Sequence, residues 1–246
     1  MLAANPKKFQ MLVLGEKTNL TLNTDSVTLT SVETVELLGI EIDKNLNFSG
    51  HISNLCRRAK LRLHSLNRIR NFLQRDQLLL LVNSYILSVF NYGSIIWMFH
   101  GKVQSREIDN IQKRALRATF QDLETLLQIS KLKRVHETHL RFLVCEINKT
   151  LNSLNPSFMQ TLYTPKQTQY ALRKCNLLVL PPAKSTRFGT QSFLFRGSLL
   201  WNTLPDSLKS SVSLNSLKIL LKKFNLCIYA IVKFVRILNS FLVGIN

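Results

Sequence analysis

Carboxylates, imidazoles and thiols are the groups with which a chain holds metal or moves protons, and here they are dispersed. The six aspartates stand singly at 25, 43, 76, 109, 122 and 206. Two-metal phosphoryl transfer needs carboxylates close enough to clamp two ions side by side. The nearest pair, Glu41 and Asp43, shares one face of a strand, and a solvated strand face explains it more simply. His136 and His139 in HETH stand at i, i+3, a spacing that could hold a metal on a helix, but Glu137 is out of register for H-E-x-x-H and no third ligand is evident. Cys56, Cys145, Cys175 and Cys227 lie far apart with no C-x-x-C pair, the pattern of reduced, mostly buried thiols in an intracellular protein. No nucleophile elbow, phosphate-binding loop or dinucleotide fingerprint is present. The chain carries no complete catalytic constellation, and no metal site is expected in it.

What it carries in excess is positive charge. Lys and Arg number 33 against 14 Asp and Glu, a formal net charge of +19. Such an excess calls for a polyanion when the chain is compact. Arg57, Lys60, His64 and Arg68 recur at helical spacing in one segment, and Lys113, Arg114 and Arg117 in another. One basic ridge is ordinary helix surface. Repeated ridges favour phosphate-backbone binding driven by counterion release, with affinity that falls steeply with salt.

The elements that must position these ridges follow from periodicity. Phe9–Leu14 is a short apolar strand, residues 20–43 alternate through a turn at Asn23–Ser26, and Ile40 and Ile42 alternate with Glu41 and Asp43. A small antiparallel sheet is expected. From Ser49 or Gly50 the period becomes helical, with Ile52, Leu55, Ala59, Leu63, Leu66 and Ile69 on one face. An apolar helical run follows over 75–89, its Leu78–Val82 string pointing to burial on several sides, and Phe90, Tyr92, Trp97 and Phe99 gather around Gly93. The next helix, SREIDNIQKRALRATF, buries Ile108, Ile111, Ala115 and Leu116. Helical patterns continue over 121–129 and 133–152. Pro181-Pro182, Gly189, Gly197 and Pro205 argue against any long regular element in 170–208, and a last amphipathic helix starts near Ser213. The expected class is α+β, mainly helical: a small amino-terminal sheet (1–48), a helical domain (49–153), a loop-rich region (154–212) and a final helix with an apolar tail (213–246).

The strings NPKKFQMLVLG, VELLGIEIDKNLNFSGHISNLCRRA, LSVFNYGSIIW with IDNIQKRALR, and YALRKCNLLVLPPAKSTRFGTQSFLFRGSLLWNTLP resemble, in that order, the carboxy-terminal part of reverse transcriptases from non-LTR (LINE-like) retrotransposons. The resemblance spans about residues 3–224 and implies the end of a palm, a thumb-like helical region and the carboxy-terminal region that follows. It implies RNA-directed DNA synthesis with Mg2+ for the parent enzyme, whose metal-binding aspartates, palm and fingers would lie upstream of this chain. A truncated and by itself inactive enzyme is therefore expected. Asn5 and Lys8 match the asparagine and lysine of the motif after the family's aspartate turn, leaving Lys8 as a vestigial candidate for protonating pyrophosphate. Leu38 and Gly39 match the hairpin that holds the primer end, where glycine would let backbone approach backbone.

The thumb-like helices would track an RNA or RNA–DNA template-primer through phosphate contacts, with Arg57, Lys60, Arg68, Lys113 and Arg117 as the expected contacts. The family's habit of copying at chromosomal targets implies a nuclear site. Two alternatives stand beside this reading: a freestanding, non-catalytic RNA or hybrid-binding module, and a membrane-associated protein anchored by residues 226–246. In that tail Lys233 and Arg236 would each cost ~2.5–3.5 kcal/mol at a bilayer centre, so an amphipathic helix lying on a surface is expected over a spanning one.

Overall fold

The computed structural model describes residues 9–15, 20–23, 28–99, 101–118, 134–166, 176–185, 189–211, 213–224 and 226. Lys8, the helical pattern at 121–129, Cys175, Cys227 and the tail beyond Leu226 lie outside them. The architecture is α+β and mainly helical, with a small amino-terminal sheet region. Two compact units are formed, residues 1–93 with 100–126, and residues 94–99 with 127–246. The helices of 49–153 are thus shared between both units.

In the first unit, β1 (Met11–Leu12), β2 (Thr21–Asn23) and β3 (Thr28–Val32) form a sheet of order β1-β3-β2. The β2–β3 pair is antiparallel, as alternation and a turn between them dictate, whereas β1 joins the other edge of β3 in parallel. β4 (Thr34–Leu37) and β5 (Ile40–Asp43) make a separate antiparallel hairpin. Its two-residue turn, Leu38-Gly39, has φ of 51° and 78°, the positive pair of a type I′ hairpin.

The chain leaves β5 through a loop organised by one carboxylate. Asp43 Oδ1 accepts from the backbone N–H of Asn45 (3.0 Å) and Asn47 (3.2 Å), and Oδ2 from that of Phe48 (2.6 Å). This bracket launches α1 (Ser49–Ile69). The helix begins at Ser49, one of the two residues expected to start it; Phe48 is the N-cap residue, holds a left-handed φ of 54° and makes no side-chain cap bond. Helix α1 buries Ile52, Leu55, Ala59, Leu63 and Leu66 as its period predicts, and Cys56 beside them, while Ile69 stays half-exposed. Burial pushes the Cys56 thiol up to about 12, Glu107 adding in the same direction, so it is held as an inert core thiol.

The apolar run after α1 does not form one helix buried on several sides. α2 (Arg75–Leu81) passes into a π turn over Val82–Ile86 and a 3-10 turn over Leu87–Phe90. Leu78 and Val82 face inward while Leu80 is 66% exposed, because each turn offers only one side to the core. The expected aromatic gathering at Gly93 also divides. Phe90 is buried in the first unit, Tyr92 is largely exposed, and Trp97 lies on α3 (Ser94–Trp97), which belongs to the second unit. α4 (Lys102–Arg117) packs beside α1 and buries Ile108, Ile111, Ala115 and Leu116.

His51, at the start of α1, is nearly fully buried and its Nδ1 accepts the Glu41 backbone N–H at 3.3 Å. Burial holds this imidazole below its ordinary value, Arg58 pushing the same way and Glu41 opposing. Protonation turns Nδ1 into a donor and breaks the bond. The unfolded chain takes up this proton more readily, so the stability it contributes is present above about pH 6.5 and is lost as pH falls below it. The melting temperature of the first unit is expected to drop between pH 7 and pH 5, and the drop to be smaller in His51→Gln; scanning calorimetry across that range measures both.

The second unit is built on α5 (Val135–Leu151), with α6 (Ser157–Gln160), α7 (Phe193–Thr203), α8 (Asp206–Lys209) and α9 (Leu214–Lys223). Its core joins Met98, Leu143, Val144, Ile147, Leu200, Trp201, Leu217 and Leu221. Ser192 and Ser213 cap α7 and α9, accepting from Phe195 N–H and Ser216 N–H. The expectation of no long element in 170–208 fails at α7, an 11-residue helix that carries Gly197 in its interior. There the glycine serves packing: a Cβ would stand 2.5 Å from Tyr163 Oη and 3.3 Å from Ile147. Close approach to α5 outweighs the ~1 kcal/mol helix penalty of glycine.

Candidate nucleic-acid interface

Helices α1 and α4 bury their apolar faces and leave cations along the seam between them. A cleft of about 510 Å3 opens there, lined by Lys60, Leu63, His64 and Asn67 of α1, Arg70 of the turn that follows, and Arg114, Arg117 and Ala118 at the end of α4. Four permanent cations and an imidazole therefore meet in one concavity of the first unit. Among the described residues no carboxylate lines it, although Glu107 reaches Lys60 Nζ at 2.7 Å from beside it. That pair is half-exposed and contributes only ~0.2–1 kcal/mol. Lys60 thus already faces a carboxylate, whereas Arg70, Arg114 and Arg117 share the concavity with none among its described lining residues, and an anion bound there would offset their mutual repulsion. The apolar part of the lining is Leu63 and Ala118 alone, unlike the mostly apolar walls of small-molecule pockets.

Of the expected phosphate contacts, Lys60 and Arg117 line this cleft. Arg57, Arg68 and Lys113 are exposed but lie outside its lining. At about 100° per residue, Arg57 and Arg68 project roughly 60–80° round α1 from Lys60, beyond His64, and Lys113 about 40° beyond Arg117. Periodicity identifies a cationic ridge; which flank of it turns toward the neighbouring helix is decided by how the helices cross. Arg70 was missed because it follows the end of α1, in a 3-10 turn that no apolar period marks.

Leu38 and Gly39 form the tip of the β4–β5 hairpin. Leu38 is 81% exposed and its carbonyl accepts the Tyr92 hydroxyl at 2.7 Å. Gly39 is required by its φ and not by close backbone approach, since the nearest atom to a Cβ placed there is Tyr92 Cε1, at 3.9 Å. A smaller cleft of about 230 Å3 beside the hairpin includes Gly39, His51, Arg58, Arg62 and Tyr92. Its Arg62 is engaged: one guanidinium N–H donates to the Tyr85 carbonyl at 2.7 Å and the group stacks 4.9 Å from the Tyr85 ring centre.

The carboxylates and imidazoles among the described residues do not fit the magnesium ions that the family resemblance implies for the parent enzyme. Asp43 is committed to three backbone N–H groups, and Glu41 accepts from Asn54 at 2.9 Å. In HETH, His136 is exposed, His139 is buried edge-on against Trp97 with ring centres 5.2 Å apart, and Glu137 pairs with Arg141 at 2.9 Å. Among the described residues, no three His, Cys, Asp or Glu side chains come together. Nor is any described helix long and apolar enough to cross a membrane.

Fold and site together define a basic α+β chain with a cationic two-helix cleft. Comparison with protein-family models, with curated proteins and with solved structures finds no match to the chain.

Proposed function

We propose that this chain is the carboxy-terminal part of a non-LTR retrotransposon reverse transcriptase, and that the α1–α4 cleft grips the phosphate backbone of an RNA or RNA–DNA template-primer. The observation that carries the binding half is the convergence of Lys60, Arg70, Arg114 and Arg117 on one cleft. The ordered strings from NPKKFQMLVLG to LLWNTLP support the family half. The cleft's lining has four permanent cations against a single aromatic ring, the imidazole of His64, which favours backbone contacts that read no sequence. The parent enzyme's palm and fingers would supply the carboxylates for RNA-directed DNA synthesis with Mg2+. The commitment of Asp43 and Glu41 to the fold favours a grip without chemistry for this chain alone, as a remnant or as a freestanding module.

The test is binding of the purified chain to a labelled RNA–DNA template-primer at several salt concentrations, with Mg2+ and nucleotides present so that extension is scored in the same tube. Four phosphate contacts give a log–log salt slope of about −3.6, a loss of roughly 150-fold between 50 and 200 mM salt. Binding with that dependence and no extension is expected. A folded sample that fails to bind at low salt overturns the grip, and primer extension overturns the absence of chemistry.

A further inference from the structure

The cleft is built mainly to hold phosphates, and His64 is the one aromatic ring in its lining. The chain supplies a second ring two residues beyond Arg70. Helix α1 ends at Ile69, and Arg70–Phe72 turns in a 3-10 arc closed by the Leu73 N–H to Arg70 carbonyl bond at 3.3 Å. Arg70 lines the cleft and Phe72 does not; the two backbones stand within about 7 Å of each other by chain reach, and at about 3 residues per turn the Phe72 side chain leaves the arc roughly 120° round from Arg70, so the ring borders the cleft from outside. Phe72 is 86% exposed, the most exposed large hydrophobic side chain among the described residues. Leu73 takes the inward place after the turn, so the ring contributes nothing to the core. A polar residue would close the same arc without holding an aromatic face in water.

We propose that Phe72 is a stacking platform for an unpaired base, placed at the end of the cleft beside Arg70, so that this surface prefers a polynucleotide with a single-stranded segment over a blunt duplex. The inference rests on the reading of the cleft as a backbone grip and adds to it the form of nucleic acid selected. Arg70 holds a phosphate while the ring covers the face of a neighbouring base. Every base has such a face, so the contact tolerates any sequence. A blunt duplex offers that ring only the outer face of its terminal base pair, because every other base face is covered by a neighbour, whereas each base of a single-stranded segment can be unstacked to meet it.

The experiment uses the full chain and three labelled ligands: a blunt RNA–DNA hybrid, the same hybrid with a single-stranded overhang, and the overhang strand alone. Wild type is expected to prefer the overhang over the blunt hybrid about tenfold, the worth of one stacked base. Phe72→Ala should lose about tenfold on the overhang, the loss of one stacked base, and less than twofold on the blunt hybrid. Phe72→Trp should restore the preference, with emission quenched by the overhang and not by the blunt hybrid. The ring is outside the core, so circular dichroism and melting should be unchanged in both variants. Equal losses on both hybrids, or no loss on the overhang when wild type binds, overturn this inference alone. Failure of folded wild type to bind any ligand at low salt overturns the cleft reading and this inference with it.

Discussion

Replacing Arg114 and Arg117 together with alanine is expected to weaken binding to an RNA–DNA template-primer by about a hundredfold and to make the log–log salt slope shallower by about 2. The two residues stand at i, i+3 on α4 and both line the cleft. A hydrogen bond to a charged group contributes about 1.5–3 kcal/mol, and at the lower bound each lost contact costs a little over tenfold. Each phosphate contact removed also takes about one unit from the salt slope. The cost to the fold is small: both side chains are exposed, and cations in the last turn of a helix offset its dipole by only about 0.3–1 kcal/mol. Filter binding or fluorescence anisotropy at several salt concentrations, with melting as a control, measures both effects.

The same assay separates the cleft from the ridge that periodicity alone suggests. Arg57 and Arg68 lie on the far flank of α1, outside the lining, and their double alanine variant should lose much less than the Arg114 and Arg117 pair. The two pairs remove equal charge from the first unit. A long-range electrostatic field would be weakened about equally by both, so a large difference between them reports local contact. Equal losses would mean that the whole basic surface, and not this cleft, attracts the ligand.

How much of this could be read in the sequence depends on which physical rule decides each feature. The faces of α1 and α4 were legible because burial of Ile52, Leu55, Ala59 and Leu63, and of Ile108, Ile111 and Ala115, repeats with the helix period. Lys60 and Arg117 were legible with them, as cations on the opposite faces. Arg114 was visible as exposed, but its place in the cleft follows from the packing of two helices, which no single period encodes. Gly197 misled because a glycine's packing partner is invisible in sequence: local propensity argues for a break, while the Tyr163 hydroxyl and Ile147 make a small residue necessary inside α7. The start of α1 was legible to the residue, but the way it is capped was not. Ser49 is the first residue of the helix, and the N-cap position falls one residue earlier, on Phe48, where the chain is shaped by Asp43 holding the Asn45, Asn47 and Phe48 N–H groups, a bracket that no local pattern marks.

Trp201→Ala is expected to cost the second unit about 3–5 kcal/mol, a large part of the ~5–15 kcal/mol by which domains are stable. Trp201 is 1% exposed, packs in the core with Leu143, Ile147 and Leu217, and donates its Nε1–H to the Asn176 carbonyl at 2.9 Å. The next residue extends that hold: Asn202 accepts the Leu178 N–H at 2.7 Å and donates to the Leu178 carbonyl at 2.9 Å, standing in for a strand partner. Removing the indole empties the centre of the core and leaves the Asn176 carbonyl without this donor. Trp201→Phe keeps most of the volume and loses the donor, so it should cost only about 1–3 kcal/mol. Both tryptophans of the chain belong to the second unit, so Trp97 remains as a fluorescence reporter of that unit in urea titrations of either variant. The cleft is formed entirely by residues of the first unit. Trp201→Phe should therefore lower the urea midpoint while leaving template-primer affinity and its salt slope unchanged, and a loss of binding in proportion to the loss of stability would place the grip in the second unit instead.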